Sequence, residues 1–232
     1  MIIIGHRGAA GLEPENTLRS FKRAIDIGVD MVECDVHLCK TGELIVIHDD
    51  TLGRTTNGTG KIQEKTFSEL RLLDAGSGEH IPSLEEVLQI ANSRVAVNVE
   101  LKGSGTARPV SDLVQRLTLE KRFSRPQLLV SSFDRHELIK FRQVDTETNI
   151  GAIKLLPIVS LTTIKSIGAS VVVINSKWLK KGFVNRAQGS GLKVFAWTVN
   201  DKDDFLKMSD LKVDGVITDF PDLAKKYIKS ND

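Results

Sequence analysis

The feature that most constrains this chain is an alternation that runs its whole length. Short runs rich in Val and Ile are separated by longer runs with helical periodicity. Extended runs fall at residues 2–4, 30–38, 94–101, 127–131, 149–153, 170–174, 193–199 and 214–218. Helical runs fall at 15–27, 83–91, 109–119, 134–143, 160–167, 180–188, 201–208 and 221–229. Many of the strands are continuously apolar, as expected when helices cover both faces of a parallel sheet. Eight such β–α units in 232 residues predict a closed TIM (β/α)8 barrel. A doubly wound open sheet is the alternative, and it calls for a G-x-G-x-x-G loop after the first strand. The first strand runs instead into Gly5-His6-Arg7-Gly8-Ala9-Ala10-Gly11, which lacks that spacing.

Local signals mark the helix ends. Asn16 is expected to cap the first helix and Gly28 to stop it, and Ser83-Leu84-Glu85-Glu86 reads as a capping box. Residues 44–47 form a further extended run, after which residues 50–81 break the alternation. That segment holds a turn-rich loop at 54–60 and one short helix at 67–73. It has too few large apolar residues for a core of its own. The expectation is one domain over 1–232, with 50–81 a small insertion after the second strand region, lying over the barrel mouth.

Charge narrows the function classes. Lys and Arg total 32 against 30 Asp and Glu, which argues against a general nucleic-acid binder and against a polybasic membrane patch. No apolar run is long enough for a transmembrane helix. The first residues, Met1-Ile2-Ile3-Ile4-Gly5-His6, lack a basic leader region, so the expectation is a cytoplasmic protein, a removed leader being the alternative. Cys34 and Cys39 give no disulfide framework, and Cys34 is expected as a small buried hydrophobe.

Active-site groups of a barrel sit at the C-terminal ends of its strands. In Val32-Glu33-Cys34-Asp35-Val36, period two sends Glu33 and Asp35 to one face and the apolar residues to the other. Two inward carboxylates call for a cation between them, and hard divalent ions take oxygen ligands; surface carboxylates on an exposed edge strand are the alternative. The strand at 94–101 repeats the pattern, turning Asn98, Glu100 and Lys102 toward the barrel axis. Glu100 is then a third ligand candidate, or the partner of Lys102 in a structural ion pair. His6 and His48 each end an apolar strand, where imidazoles can exchange protons near neutral pH or serve as ligands. Arg7 offers a planar fork suited to phosphate. His37 shares the parity of Glu33 and Asp35 but lies beyond them, a supporting position. Trp197 sits at the same level on a later strand.

Taken in order, His6-Arg7-Gly8, Pro14-Glu15-Asn16-Thr17, Glu33-x-Asp35, His48-Asp49, Pro82-x-Leu84-Glu85-Glu86, Glu100-x-Lys102 and Ile217-Thr218-Asp219-Phe220-Pro221-Asp222 resemble the glycerophosphodiester phosphodiesterase family. The resemblance spans residues 2 to 228. It implies a TIM barrel with a small insertion after the His-Asp motif. It also implies Glu33, Asp35 and Glu100 as ligands of one divalent cation, Mg²⁺ or Ca²⁺. His6 would be the base and His48 the acid, while Arg7 and Lys102 would hold the phosphate and Trp197 would line the substrate site. The substrate would be a small glycerophosphodiester, cleaved to sn-glycerol 3-phosphate and an alcohol. A lysophospholipase D on single-chain lipids is the rival reading, favoured by an apolar rim for which Phe133, Trp197 and Phe220 are the candidates. A non-catalytic phosphate-binding protein is another. Two departures stand out: Lys40-Thr41-Gly42 lacks the family's aspartate before the glycine, and residues 74–82 are short, which opens the rim.

Overall fold

The computed structural model describes residues 1–92 and 94–228. The last residue of the expected final helix, Lys229, lies outside the described residues. The strands are β1 (Ile2–Gly5), β2 (Met31–Leu38), β3 (Leu44–Val46), β4 (Ala96–Leu101), β5 (Leu128–Ser132), β6 (Asn149–Lys154), β7 (Val171–Asn175), β8 (Lys193–Trp197) and β9 (Gly215–Thr218). The helices are α1 (Leu18–Ile27), α2 (Phe67–Arg71), α3 (Leu84–Ala91), α4 (Ala107–Leu119), α5 (Arg135–Val144), α6 (Leu161–Ser166), α7 (Lys181–Gly189), α8 (Lys202–Leu211) and α9 (Pro221–Ile228). Every strand but β3 pairs in parallel with its neighbours, and β1 pairs with both β2 and β9, so the sheet closes on itself. This is the expected TIM barrel. The run at 44–47 is β3, which pairs antiparallel with β2 outside the parallel ring.

Side-chain parity sorts the interior into two layers. Ile3, Val32, Cys34, Val36, Val97 and Val99 face outward into the core shared with the helices. Ile4, Leu129, Ile153, Val173, Phe195 and Ile217 face inward and fill the barrel. Burying each large aliphatic or aromatic side chain contributes roughly 1.5–3 kcal/mol, which is why one residue of register slip is not tolerated. That register brings Glu33 opposite Asn98 and Asp35 opposite Glu100 on adjacent strands.

Two local expectations meet different outcomes. The Ser83 capping box forms as read, with Ser83 and Glu86 bonding reciprocally. Asn16 does not cap α1: Thr17 does, accepting from the Ser20 backbone N–H, while Asn16 adopts a left-handed φ of 58° and turns its side chain into the barrel. Two adjacent residues were both good caps, and the buried carboxylate below claimed the first.

Residues 50–81 carry α2 and a short 3-10 turn at Ile62–Glu64. Leu52, Ile62, Leu70 and Ile81 pack with Cys39, Ile45 and Ile47 in a cluster separate from the main core. That cluster is therefore shared with β3 and the turn before it.

The turn after β1 depends on one glycine. Gly8 has φ +87°, and a Cβ there would lie 2.6 Å from the Ser20 carbonyl carbon and 2.7 Å from the Phe21 nitrogen. Only movement of the α1 backbone relieves such a contact. Gly8→Ala is expected to lower stability by on the order of 2–4 kcal/mol in denaturant unfolding. A loss below about 0.5 kcal/mol, the range of an unconstrained surface change, contradicts this packing.

Candidate active site

Glu33 and Asp35 on β2 and Glu100 on β4 converge in the barrel, only 3%, 1% and 8% exposed. One ligand oxygen from each lies within 4.8 Å of the others. Glu33 Oε2 accepts from the Arg7 backbone N–H at 3.0 Å, and Asp35 Oδ2 from Asn16 Nδ2 at 2.9 Å. Glu33 Oε1, Asp35 Oδ1 and Glu100 Oε1 are buried without a hydrogen bond. Lys102 Nζ approaches Glu100 Oε1 at 3.1 Å as an ion pair, without hydrogen-bond geometry, and stands 3.9 Å from Asp35 Oδ1. Three buried carboxylate oxygens that lack a hydrogen bond, two of them with only the Lys102 ammonium alongside, fit a divalent cation. Burial raises the proton affinity of Glu33 well above the usual carboxylate range, and the charges of Asp35 and Glu100 add to it. Burial, then the charge of Asp35, pushes Glu100 up to about 7.

The two histidines stand across this cluster, each with the same kind of anchor. His6 Nδ1 lies 2.6 Å from Asp219 Oδ1, and Asp219 Oδ2 accepts from Asn200 Nδ2 at 2.5 Å. Burial, the largest single influence, would raise Asp219, but the His6 hydrogen bond and charge, the Asn200 hydrogen bond and the Arg7 charge together hold the carboxyl below its ordinary range. His48 Nδ1 lies 2.5 Å from Asp49 Oδ1. Arg54 grips Asp49 through Nε at 2.6 Å, and Glu15 through Nη1 at 2.9 Å. His48 also has its backbone carbonyl 3.0 Å from His37 Nε2, the supporting position expected of His37. In both rings the Nδ1 edge is committed to a carboxylate, which leaves Nε2 to face other partners, and on His48 that partner is Lys102 Nζ. Burial lowers the proton affinity of His48, despite the opposing charge of Asp35.

Arg7 and Lys102 complete the charged side. Arg7 Nη1 donates to Glu15 at 2.7 Å and its Nε lies 3.3 Å from Asp35 Oδ2. Lys102 Nζ is 3.1 Å from His48 Nε2. His6, Arg7, Glu33, His48, Glu100 and Lys102 all line one pocket of about 210 Å³. Its other wall is apolar, formed by Phe133, Ile153, Val173, Trp197 and Ile217. Trp197 and Phe133 meet edge to face, ring centroids 5.5 Å apart, and Trp197 Nε1 is buried without a partner. Asp35 is buried beneath the pocket; His6, Arg7, Glu33, His48, Glu100, Lys102, Phe133 and Trp197 reach its wall, whereas Phe220, expected at the rim, does not line it and packs against Gly11 instead.

Comparison with known proteins agrees with this geometry. The model of the glycerophosphoryl diester phosphodiesterase family matches residues 6–223. The chain belongs to that family. It is 36% identical to a putative glycerophosphodiester phosphodiesterase, YhdW, of Bacillus subtilis, over 97% of each chain. It is 33% identical to a glycerophosphodiester phosphodiesterase of Caldanaerobacter subterraneus subsp. tengcongensis, over 98% of each. Among solved structures, an Oleispira antarctica phosphodiesterase in complex with the product sn-glycerol-3-phosphate superposes with a TM-score of 0.91 at 30% identity, covering 99% of this chain and 97% of that one. The chain is thus a glycerophosphodiester phosphodiesterase with a buried acidic triad able to hold a metal ion.

Several groups in this phosphodiesterase carry no role in the sequence reading. Asp49 and Asp219 orient the histidines, Asn200 orients Asp219, and Asn16, Glu15 and Arg54 tie Asp35, Arg7 and Asp49 together. An aspartate beside each strand end was the visible signal for the first two. The partnership of Asp219 with His6, 213 residues away, appears only when the barrel closes.

The acidic cluster sets a pH dependence. Glu33 and Glu100 have raised proton affinity in the folded chain, so the metal-free protein gains stability from protonation below their unfolded value of 4.5. That gain is lost as pH rises through about 7, where Glu100 ionises. The melting temperature of chelated protein is expected to fall between about pH 5 and pH 8, and stabilisation by added Mg²⁺ or Ca²⁺ to grow over the same range. Scanning calorimetry with and without the cation measures both. A cation effect largest at the acid end contradicts ligation by these carboxylates.

Proposed function

We propose that this phosphodiesterase hydrolyses glycerophosphodiesters such as glycerophosphocholine and glycerophosphoethanolamine to sn-glycerol 3-phosphate and an alcohol, with one Mg²⁺ or Ca²⁺ on Glu33, Asp35 and Glu100. The observation that carries the reading is two carboxylate-anchored imidazoles sharing a pocket with three unsatisfied carboxylate oxygens. A protein that only binds phosphate needs no such pair of proton carriers. When bound, the cation neutralises phosphate charge and orients glycerol hydroxyls. Arg7 and Lys102 supply charge-assisted donors to the phosphate oxygens. The apolar wall excludes water beside the reacting phosphorus, and the unpartnered Trp197 Nε1 offers a substrate oxygen one further donor.

His6 acts as the base, taking the proton of the nucleophile at Nε2 while Asp219 steadies the imidazolium that forms. The nucleophile is water or the substrate's own 2-hydroxyl. His48 acts as the acid on the leaving oxygen. Burial keeps its resting proton affinity low, and the anionic diester brings the negative charge that favours its protonated form. The whole chain works as one domain, residues 50–81 forming the rim that reaches the site through Arg54.

The leaving group separates the two roles, because an alkoxide needs protonation and a nitrophenolate does not. His48→Ala is expected to slow glycerophosphocholine cleavage by about 10²- to 10⁴-fold and a glycerol nitrophenyl phosphodiester by less than about tenfold. His6→Ala is expected to slow both alike, and chelator to abolish both until Mg²⁺ or Ca²⁺ is restored. The opposite leaving-group pattern exchanges the roles; two active mutants with no discrimination contradict the acid–base pair.

A further inference from the structure

The exposed apolar side chains are not scattered. Ten large hydrophobic residues are exposed among the described residues, and five of them follow three adjacent strands at the end of the barrel that holds the pocket. Phe133 follows β5 at 41% exposure. Leu155, Leu156 and Ile158 follow β6 at 55%, 39% and 84%, and Trp178 follows β7 at 45%. Phe133 also lines the pocket, so the apolar rim is continuous with the catalytic mouth. Beside the β6 loop, between α5 and α6, an apolar cavity of about 180 Å³ is lined by Leu138, Val159, Ile164 and Ile167, with Arg135 and Lys154 also on its wall.

The charge around this rim is one-sided. Arg135, Lys154, Lys177, Lys180 and Lys181 stand against Asp134, a local excess of four in a chain whose net charge is +2. Among the described residues, none of the five cations forms an ion pair, and Asp134 is occupied in capping α5. Overall charge balance argued against a basic membrane patch, but the balance is reached by acidic groups elsewhere. Lys177 Nζ lies 5.5 Å from the Trp178 ring centroid, so one apolar ring and one cation project together. Protruding aliphatic and indole side chains flanked by lysines that make no ion pair among the described residues match an interface with apolar depth and anionic headgroups.

We propose that the loops after β5, β6 and β7 dock this phosphodiesterase on an anionic lipid surface, with Leu155, Leu156, Ile158 and Trp178 entering the acyl boundary and the surrounding cations meeting the headgroups. Docking there holds the catalytic mouth against the surface. The binding does not depend on the identity of the diester cleaved.

Full-length protein is mixed with vesicles of phosphatidylcholine alone or of phosphatidylcholine with phosphatidylglycerol, and sedimentation is measured with Trp178 fluorescence. The expected result is sedimentation with the anionic vesicles and a blue shift that Trp178→Phe removes. Leu155→Asp/Ile158→Asp is expected to weaken binding about tenfold or more. Lys177→Glu or Lys181→Glu is expected to weaken it by at least about fivefold each at low salt. The Asp variant is expected to cleave glycerophosphocholine in solution at the wild-type rate, which shows it folded. No sedimentation with either vesicle, or equal sedimentation of wild type and a folded Asp variant, overturns the proposal. So does a patch-dependent dimer, seen by light scattering, that binds no vesicle. Loss of catalysis in wild type with vesicle binding retained would count against the reaction, not against docking.

Discussion

Three carboxylates held within 4.8 Å of one another inside a barrel are the constraint on which the rest of the site depends. Desolvating even one carboxylate costs several kcal/mol, and mutual repulsion adds to it. The chain spreads that burden over Arg7, Lys102, Asn16 and a backbone N–H, yet leaves one oxygen on each carboxylate without a hydrogen bond. Two things can satisfy those oxygens, a proton or a cation. Protonation is visible in the raised affinities of Glu33 and Glu100. A divalent cation held by the same three oxygens would replace that protonation and supply positive charge beside the pocket.

The same cluster determines how the mouth is assembled. Arg7 adopts a left-handed φ of 50°, which lets its backbone N–H reach Glu33 and its guanidinium reach both Asp35 and Glu15. Glu15 passes the contact to Arg54, Arg54 to Asp49, and Asp49 to His48. The inserted segment thereby takes part in orienting the His48 ring. On the far side, closure of β9 against β1 delivers Asp219 to His6. Both imidazoles are fixed through Nδ1 by carboxylates whose own positions are fixed, the arrangement that the proposed proton transfer at Nε2 requires.

Period-two reading of β2 and β4 was enough to find Glu33, Asp35 and Glu100, because an inward face in a parallel barrel strand is set by its apolar neighbours alone. His6, His48, Arg7 and Lys102 were legible for the related reason that barrel chemistry sits where strands end. Asn16 was misread because a helix cap and a buried donor look alike in sequence; only the location of Asp35 separates them. Asp219, Asn200 and Arg54 were seen as residues but not as partners, since their roles arise from contacts made across the closed sheet. The apolar rim was undercounted for a different reason: Leu155, Leu156 and Ile158 look like core residues until the loop that carries them is seen to project.

The most direct test of the account is an anomalous difference map from crystals grown with Mn²⁺ in place of the native cation. The account predicts a single strong peak bounded by Glu33 Oε1, Asp35 Oδ1 and Glu100 Oε1, at oxygen-ligand distances and lost in Glu100→Gln. A fully active, Mn²⁺-saturated enzyme whose peak lies elsewhere, or that shows none at this cluster, would contradict it.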